Sequence, residues 1–417
     1  MNQKRALQII VISILVLYIP ALSGDSFGME NGKFSVGKHT PSDTASSLLS
    51  IPFTFDGRII IPLKINNSKN IDVILDTGVG QSLLLIMHEE SGSELGLEYT
   101  DTRDIIRGAG SGKNKAAHLS PEVNVSLSNI DLGPIFTAVI AESRTVSSHH
   151  NTGVIGGAIF SSFVTEIDFD SMKLNLYDPE SFKPDEGWEG IPITLERNMP
   201  IIETSIFNDG GEDIPVKLLV DTGAQPILGL VPEKNAGIKR EGRFVHTLSG
   251  TGLRGDTFAN TARLFALRIG PHRLTDLLSD YLELEDFPAM KELPCDGLVG
   301  IGTLYRYNMI FDYAHKIMYV KPNKYFKDRF EMNMAGIKIK KMGTGDTVVY
   351  HILEDSIASK KGLKKGDVIK TVNGKSIEIY SYLELKKLFE QSGEAVTIQV
   401  ARDGKNRKFT LTLKRII

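Results

Sequence analysis

Between residues 51 and 322 the apolar positions fall in short clusters rather than along long faces. Segments 58–65, 123–127, 173–177, 215–220 and 316–320 are rich in β-branched residues, with Gly, Asn and Asp between them. That pattern predicts strands. No stretch of this region sustains the 3.6-residue apolar period of a long helix. After residue 330 the pattern changes. Strands are predicted at 347–353, 368–372, 396–401 and 408–413, with a short helix at 355–361. Asn373-Gly374 and Asp403-Gly404 are two-residue hairpin signals. Segment 381–391 places Tyr382, Leu385, Leu388 and Phe389 on one side of a helix.

The region before residue 322 repeats itself. Val73-Ile74-Leu75-Asp76-Thr77-Gly78 recurs as Leu218-Leu219-Val220-Asp221-Thr222-Gly223. Val154-Ile155-Gly156 recurs as Leu298-Val299-Gly300, and Leu132-Gly133-Pro134 as Ile269-Gly270-Pro271. Ile167-Asp168-Phe169 matches Phe311-Asp312-Tyr313. A glycine-rich segment falls at the same place in each half, with Gly108, Gly110 and Gly112 in one and Gly250 and Gly252 in the other. These features keep one order, so the chain carries two copies of a lobe. Each is predicted to be a small, partly closed barrel of antiparallel strands, with short helices after the Gly156 and Gly300 motifs.

A strand of buried aliphatics ending in Asp-Thr-Gly sets a carboxylate at the mouth of a core, on a turn that glycine permits. Two such turns facing each other bring two carboxylates together. They cannot both ionise, so they share a proton over a wide pH range. Such a pair can hold a water, one carboxylate acting as base and its protonated partner as acid. With these motifs the sequence resembles the retropepsin-like aspartic proteases, in a tandem, single-chain form covering about 51–322. The resemblance implies two pseudo-twofold-related β-barrel lobes in a monomer, a cleft between them and an aspartic-type endopeptidase acting on peptides or unfolded protein. It implies a catalytic dyad of Asp76 and Asp221, supported by Thr77, Gly78, Thr222 and Gly223, with the glycine-rich segments as flaps.

The chain departs from that family just after each motif, where a hydroxyl is usual. Gly80 and Gln225 stand there instead, with Gln225 and Ser82 as candidate replacements. The departure implies a pH profile lying nearer neutrality, lowered again by Gly80→Ser and Gln225→Ser. It also motivates an alternative: a catalytically weak or inactive pseudo-protease serving as a peptide-binding envelope scaffold.

The run 362–374, Gly-Leu-Lys-Lys-Gly-Asp-Val-Ile-Lys-Thr-Val-Asn-Gly, with the element order around it, resembles a PDZ domain over 330–416. By that resemblance Met334, Ala335, Gly336 and Ile337 form a loop whose amides receive a peptide carboxylate. The ligand then adds a strand beside 337–341, facing helix 381–391.

Charge and composition narrow the rest. The 417 residues carry a net charge of −3, which argues against nucleic acid as a partner. Residues 330–417 hold 17 Lys and Arg against 10 Asp and Glu. That basic excess suits acidic peptide termini. Cys295 is the one cysteine, so no intrachain disulfide forms, and a buried thiol is expected there. His149-His150 lacks partners at ligand spacing; no metal and no cofactor are expected. Gly250-Thr251-Gly252-Leu253-Arg254-Gly255 has the letters of a dinucleotide motif without its βαβ setting. Lys4 and Arg5 precede an apolar run, 9–22, broken by Pro20. This is the pattern of a secretory signal peptide over 1–23, with a flexible linker over 24–50, and it implies export, to a bacterial periplasm or beyond. The expected lobes are 51–183 and 184–325.

Overall fold

The computed structural model describes residues 8–10, 47–66, 68–100, 103–142 and 151–417. In the first lobe six strands form a closed ring. Ile59–Ile65 pairs with Asn70–Leu75, which pairs with Gly153–Ile155. Leu83–Ile86, Ile130–Ile140 and Lys115–Leu127 follow, and the last returns to Ile59–Ile65. The second lobe builds the same ring. Met199–Phe207, Asp213–Asp221, Gly297–Gly300, Leu228–Leu230, His272–Tyr281 and Gly255–Ile269 follow one another and close on Met199–Phe207. Closure removes the open edges that a short-stranded sheet would expose.

The rings are not purely antiparallel. Gly153–Ile155 and Gly297–Gly300 run parallel to the Asp-bearing strands, and Leu83–Ile86 and Leu228–Leu230 each make a second parallel contact. Each glycine-ended strand lies between two strands of opposite direction, so it must be parallel to one of them. A long crossover makes that possible. Helices Gly157–Phe160 and Ile301–Leu304 follow these strands directly.

A six-stranded sheet joins the lobes, with three strands from each. Its order is Glu189–Glu196, Ile317–Pro322, Tyr307–Asp312, Val164–Asp168, Lys173–Tyr177 and Leu49–Pro52. Ile167 faces Met309 where the halves meet. The strand beginning at Leu49 starts inside the segment expected to be linker. One apolar core runs from the first ring through this sheet into the second, including Phe55, Phe169 and Phe311.

Residues 329–413 have their own core, with Val349, Val400 and Phe389 at its centre. Strand Ile337–Lys341 forms the edge of this sheet and pairs with Thr347–Ile352. Helix Tyr382–Phe389 starts at a reciprocal capping box between Ser381 and Glu384. Asn373 and Gly374 both take positive φ, 49° and 76°, as a tight hairpin turn requires.

This C-terminal unit is docked on the second lobe. Arg263 donates to Glu331 Oε2 at 2.6 Å and to the Phe330 carbonyl. Arg415 reaches Asp276 at 2.6 Å and Glu331 at 2.9 Å. The Tyr350 hydroxyl donates to Asp256 at 2.8 Å, and Tyr382 packs edge-on against Phe55 at 5.5 Å. Of the expected signal peptide, only 8–10 lies among the described residues, as strand Gln8–Ile10 beside Arg103–Arg107. No helix among the described residues is long and apolar enough to cross a membrane.

Candidate functional site

Each Asp-Thr-Gly motif ends a buried strand of its ring, and the two turns meet between the lobes. The Thr77 amide donates to Thr222 Oγ1 at 3.0 Å, and the Thr222 amide donates to Thr77 Oγ1 at 3.0 Å. Each hydroxyl then donates across the interface, Thr77 to the Val220 carbonyl at 2.7 Å and Thr222 to the Leu75 carbonyl at 3.1 Å. Each turn completes the other's threonine amide and strand-end carbonyl. In a buried setting this locks the relative position of both strands, because an unmet amide costs about 1–3 kcal/mol.

The glycines make room for the carboxyl groups. A Cβ on Gly223 would lie 2.1 Å from Asp76 Oδ2, and one on Gly78 would lie 2.9 Å from Asp221 Oδ2. Asp76 and Asp221 are buried. Asp76 Oδ1 accepts from the Gly78 amide at 2.7 Å; Asp221 Oδ1 accepts from Gly223 and Ala224, both at 2.9 Å. Asp221 Oδ2 finds no donor among protein N–H and O–H groups. A proton shared with Asp76 satisfies it.

The electrostatics agree. Burial, followed by the charge of Asp221, holds the Asp76 carboxyl well above the ordinary range, against the pull of the Gly78 and Gly223 amides. Burial also raises Asp221, to about 6, against hydrogen bonds from Asp76, Ala224 and Gly223. The pair therefore keeps one proton where isolated carboxylates have lost theirs. Tyr313 stands beside this pair. Burial and then the charges of Asp76 and Asp221 push its phenol far up, and its hydroxyl has no hydrogen-bond partner among the described residues. Its counterpart in the first lobe is Phe169, so the difference was visible in the repeat, yet nothing in the sequence tied Tyr313 to the carboxylates.

The two glycine-rich segments come together. The Gly112 amide donates to the Arg254 carbonyl at 2.8 Å, and the Arg254 amide to the Ala109 carbonyl at 2.9 Å. Gly110, at φ 127°, approaches the Arg254 backbone so closely that a Cβ would meet it at 2.5 Å. Gly252 meets the Ala109 carbonyl in the same way. Gly108 is buried behind this crossing, while Gly250 lines a cavity of about 530 Å³.

That cavity is lined by Asp76 and Gln225 of the lobes and by Gly336, Ile337 and Lys340 of the C-terminal unit. The loop expected to receive a carboxylate is engaged within the chain. The Met334 amide donates to the Phe389 carbonyl at 2.9 Å, the Ala335 amide to Asn333 Oδ1 at 3.0 Å, and the Gly336 amide to the Asn333 carbonyl at 2.9 Å.

The candidate hydroxyl replacements do not reach the pair: Ser82 is exposed, and Gln225 is exposed to the cavity. Gly80 has no room for a side chain, since a Cβ would lie 2.1 Å from the Arg197 carbonyl. Cys295 is buried, which pushes its thiol up to about 12. His149 and His150 lie outside the described residues. Among the described residues no group of three or more His, Cys, Asp or Glu is placed to hold a metal.

Residues 329–413 match the PDZ domain family, so the C-terminal unit is a PDZ domain. The chain is also 29% identical over 126 residues to "Periplasmic serine endoprotease DegP" of Escherichia coli K12, and equally to that of Escherichia coli O157:H7. Those residues are 29% of this chain and 27% of the relative, so the chain spans about a quarter of the curated relatives' length. The comparison corrects the expected chemistry. The protease that this chain resembles is a serine enzyme, and the assignment as an aspartic-type endopeptidase is withdrawn. What stands is a mainly β protein with a PDZ domain and similarity to a bacterial protease. Serine chemistry belongs to that relative. In this chain the histidine rings with described polar contacts face Asn260, Asp312 and Glu89.

Proposed function

We propose that this chain is an exported, PDZ-bearing protein of the bacterial envelope that handles peptides or unfolded protein in proteolysis. In this reading Asp76 and Gly223 form the polar floor of its peptide site, held in place from behind by Asp221, Thr77, Gly78 and Thr222. The observation carrying the reading is the shared cavity: Asp76 and Gly223 of the paired turns and the edge strand of the PDZ domain line one space. A pair that retains a proton can donate a hydrogen bond to a backbone carbonyl of an occupant and accept one from its amide. The crossed glycine segments act as flaps over that occupant. An extended peptide adds to Ile337–Lys341 as a further strand, because that strand has a free edge. A carboxy-terminus docking at 334–337 must displace Asn333. Matching strand order in the two closed rings supports reading the lobes as retropepsin-like in architecture. The name of the curated relative and the apolar run at 9–22 support the periplasm as the compartment.

The test is digestion of an unfolded protein by the full chain, with and without a serine-directed fluorophosphonate, beside Asp76→Asn. Hydrolysis supports the protease reading. Loss to the fluorophosphonate gives it the relative's chemistry, whereas loss of peptide binding in Asp76→Asn shows that this carboxylate holds the occupant. Peptide binding without hydrolysis in any arm leaves a scaffold, and neither binding nor hydrolysis overturns the reading.

A further inference from the structure

The PDZ side of the cavity carries two lysines, Lys338 and Lys340, that form no ion pair among the described residues. Ile337 and Ile339 point into the PDZ core. Lys338 and Lys340 alternate with them and therefore face the other way, into the cavity. Nearby charges are mostly paired: Asp56 with Arg58, Lys341 with Glu378, and Lys386 with Glu390. Asp280, the acid facing Lys338, is occupied by the Ser249 and Thr261 hydroxyls at 2.6 and 2.5 Å. Among the described residues the Lys338 and Lys340 ammonium groups make no hydrogen bond or ion pair; Lys340 lies 4.5 Å from the centre of the Tyr350 ring. Burial, followed by the charge of Arg58, lowers the Lys340 ammonium to about 7 against the pull of Asp256 and Asp56, so an anion placed beside it favours its charged form. Two lysines on alternate positions of a free-edged strand, both lining the cavity, form a site for anions spaced two residues apart on an extended partner.

We infer that the cavity selects acidic peptides: an extended segment docked along Ile337–Lys341, with carboxylate side chains two residues apart placed against Lys338 and Lys340. The inference rests on the peptide-handling reading and adds the substrate class. It does not require a free carboxy-terminus, since the amides at 334–336 are already engaged.

Binding of fluorescein-labelled decapeptides to the full chain, read by anisotropy, tests it. One peptide carries Glu at two alternate positions and the other carries Gln there, each with a free or an amidated carboxy-terminus. The expected result is that the Glu peptide binds about tenfold tighter or better, and that Lys338→Gln with Lys340→Gln removes the difference. Circular dichroism checks that this variant is folded, and the Gln peptide should bind it as it binds the wild type. Equal binding of Glu and Gln peptides by the wild type overturns the acidic preference alone. Preference that survives the lysine substitutions overturns the assignment to this strand. Binding that is lost on amidation means recognition of a terminus rather than of acidic side chains. Absence of binding by every peptide overturns the peptide-handling reading with it.

Discussion

The two lobes share one strand order and one turn, but they differ in what surrounds that turn. In both, a buried aliphatic strand delivers an aspartate, and a threonine hydroxyl crosses to the other lobe. Around this symmetric centre the copies diverge. The first lobe closes its turn tightly, with Gly80 against the Arg197 carbonyl; the second opens it, with Gln225 at the cavity. Phe169 in one copy is Tyr313 in the other. The second lobe supplies Asp256 and Arg263 to the PDZ domain. What the two aspartates need from each other has stayed the same, and what the second lobe needs from the PDZ domain has changed it.

The strongest way to break that comparison is at the paired glycines. Gly223→Ala would force Asp76 away from a site where a Cβ belongs 2.1 Å from its oxygen. A loss of about 3 kcal/mol is expected in urea denaturation, against about 1 kcal/mol for Gly78→Ala, where the approach is 2.9 Å. Equal losses would mean that the turns are more alike than their packing. A second effect is in pH. Both folded carboxyls sit above their unfolded values, so the native state holds more protons than the unfolded one, and stability falls as pH rises through the raised range. The slope approaches about 1.4 kcal/mol per pH unit for each such group. Asp76→Asn should flatten it, as denaturation at a series of pH values would report; an unchanged slope would place the buried charge elsewhere. The smallest effect is at the asymmetric contact. Tyr350→Phe removes the bond to Asp256, costs about 1 kcal/mol, and should speed amide exchange at 250–256 while leaving 108–112 less affected. Equal acceleration of both segments would show that the flaps respond as one body.

Much of this architecture was legible in the sequence. The duplicated motifs foretold two lobes, and hairpin signals at Asn373-Gly374 and Asp403-Gly404 foretold the PDZ strands, because local turn chemistry decides such features. The parallel contacts in the rings were not legible, since they depend on a strand inserted from some 80 residues away. Nor was the cavity. Lys338 and Lys340 look like an ordinary solvated stripe until the second lobe is seen opposite them, and Tyr350 gives no sign of Asp256. The chemistry assigned from the paired motif did not stand against the serine protease relative; a motif with a shared proton specifies an environment, while the reaction class needs a partner outside it.

The docking of the PDZ domain has one more consequence. A domain swinging on a slack tether raises the local concentration of whatever it catches, and it presents that catch to the rest of the protein at many spacings. Here Arg263, Glu331 and Arg415 hold the domain in place. A chain seated on Ile337–Lys341 would therefore meet the second-lobe wall of the cavity in one register. The arrangement is a ruler: each residue of the seated segment would face a fixed part of that wall.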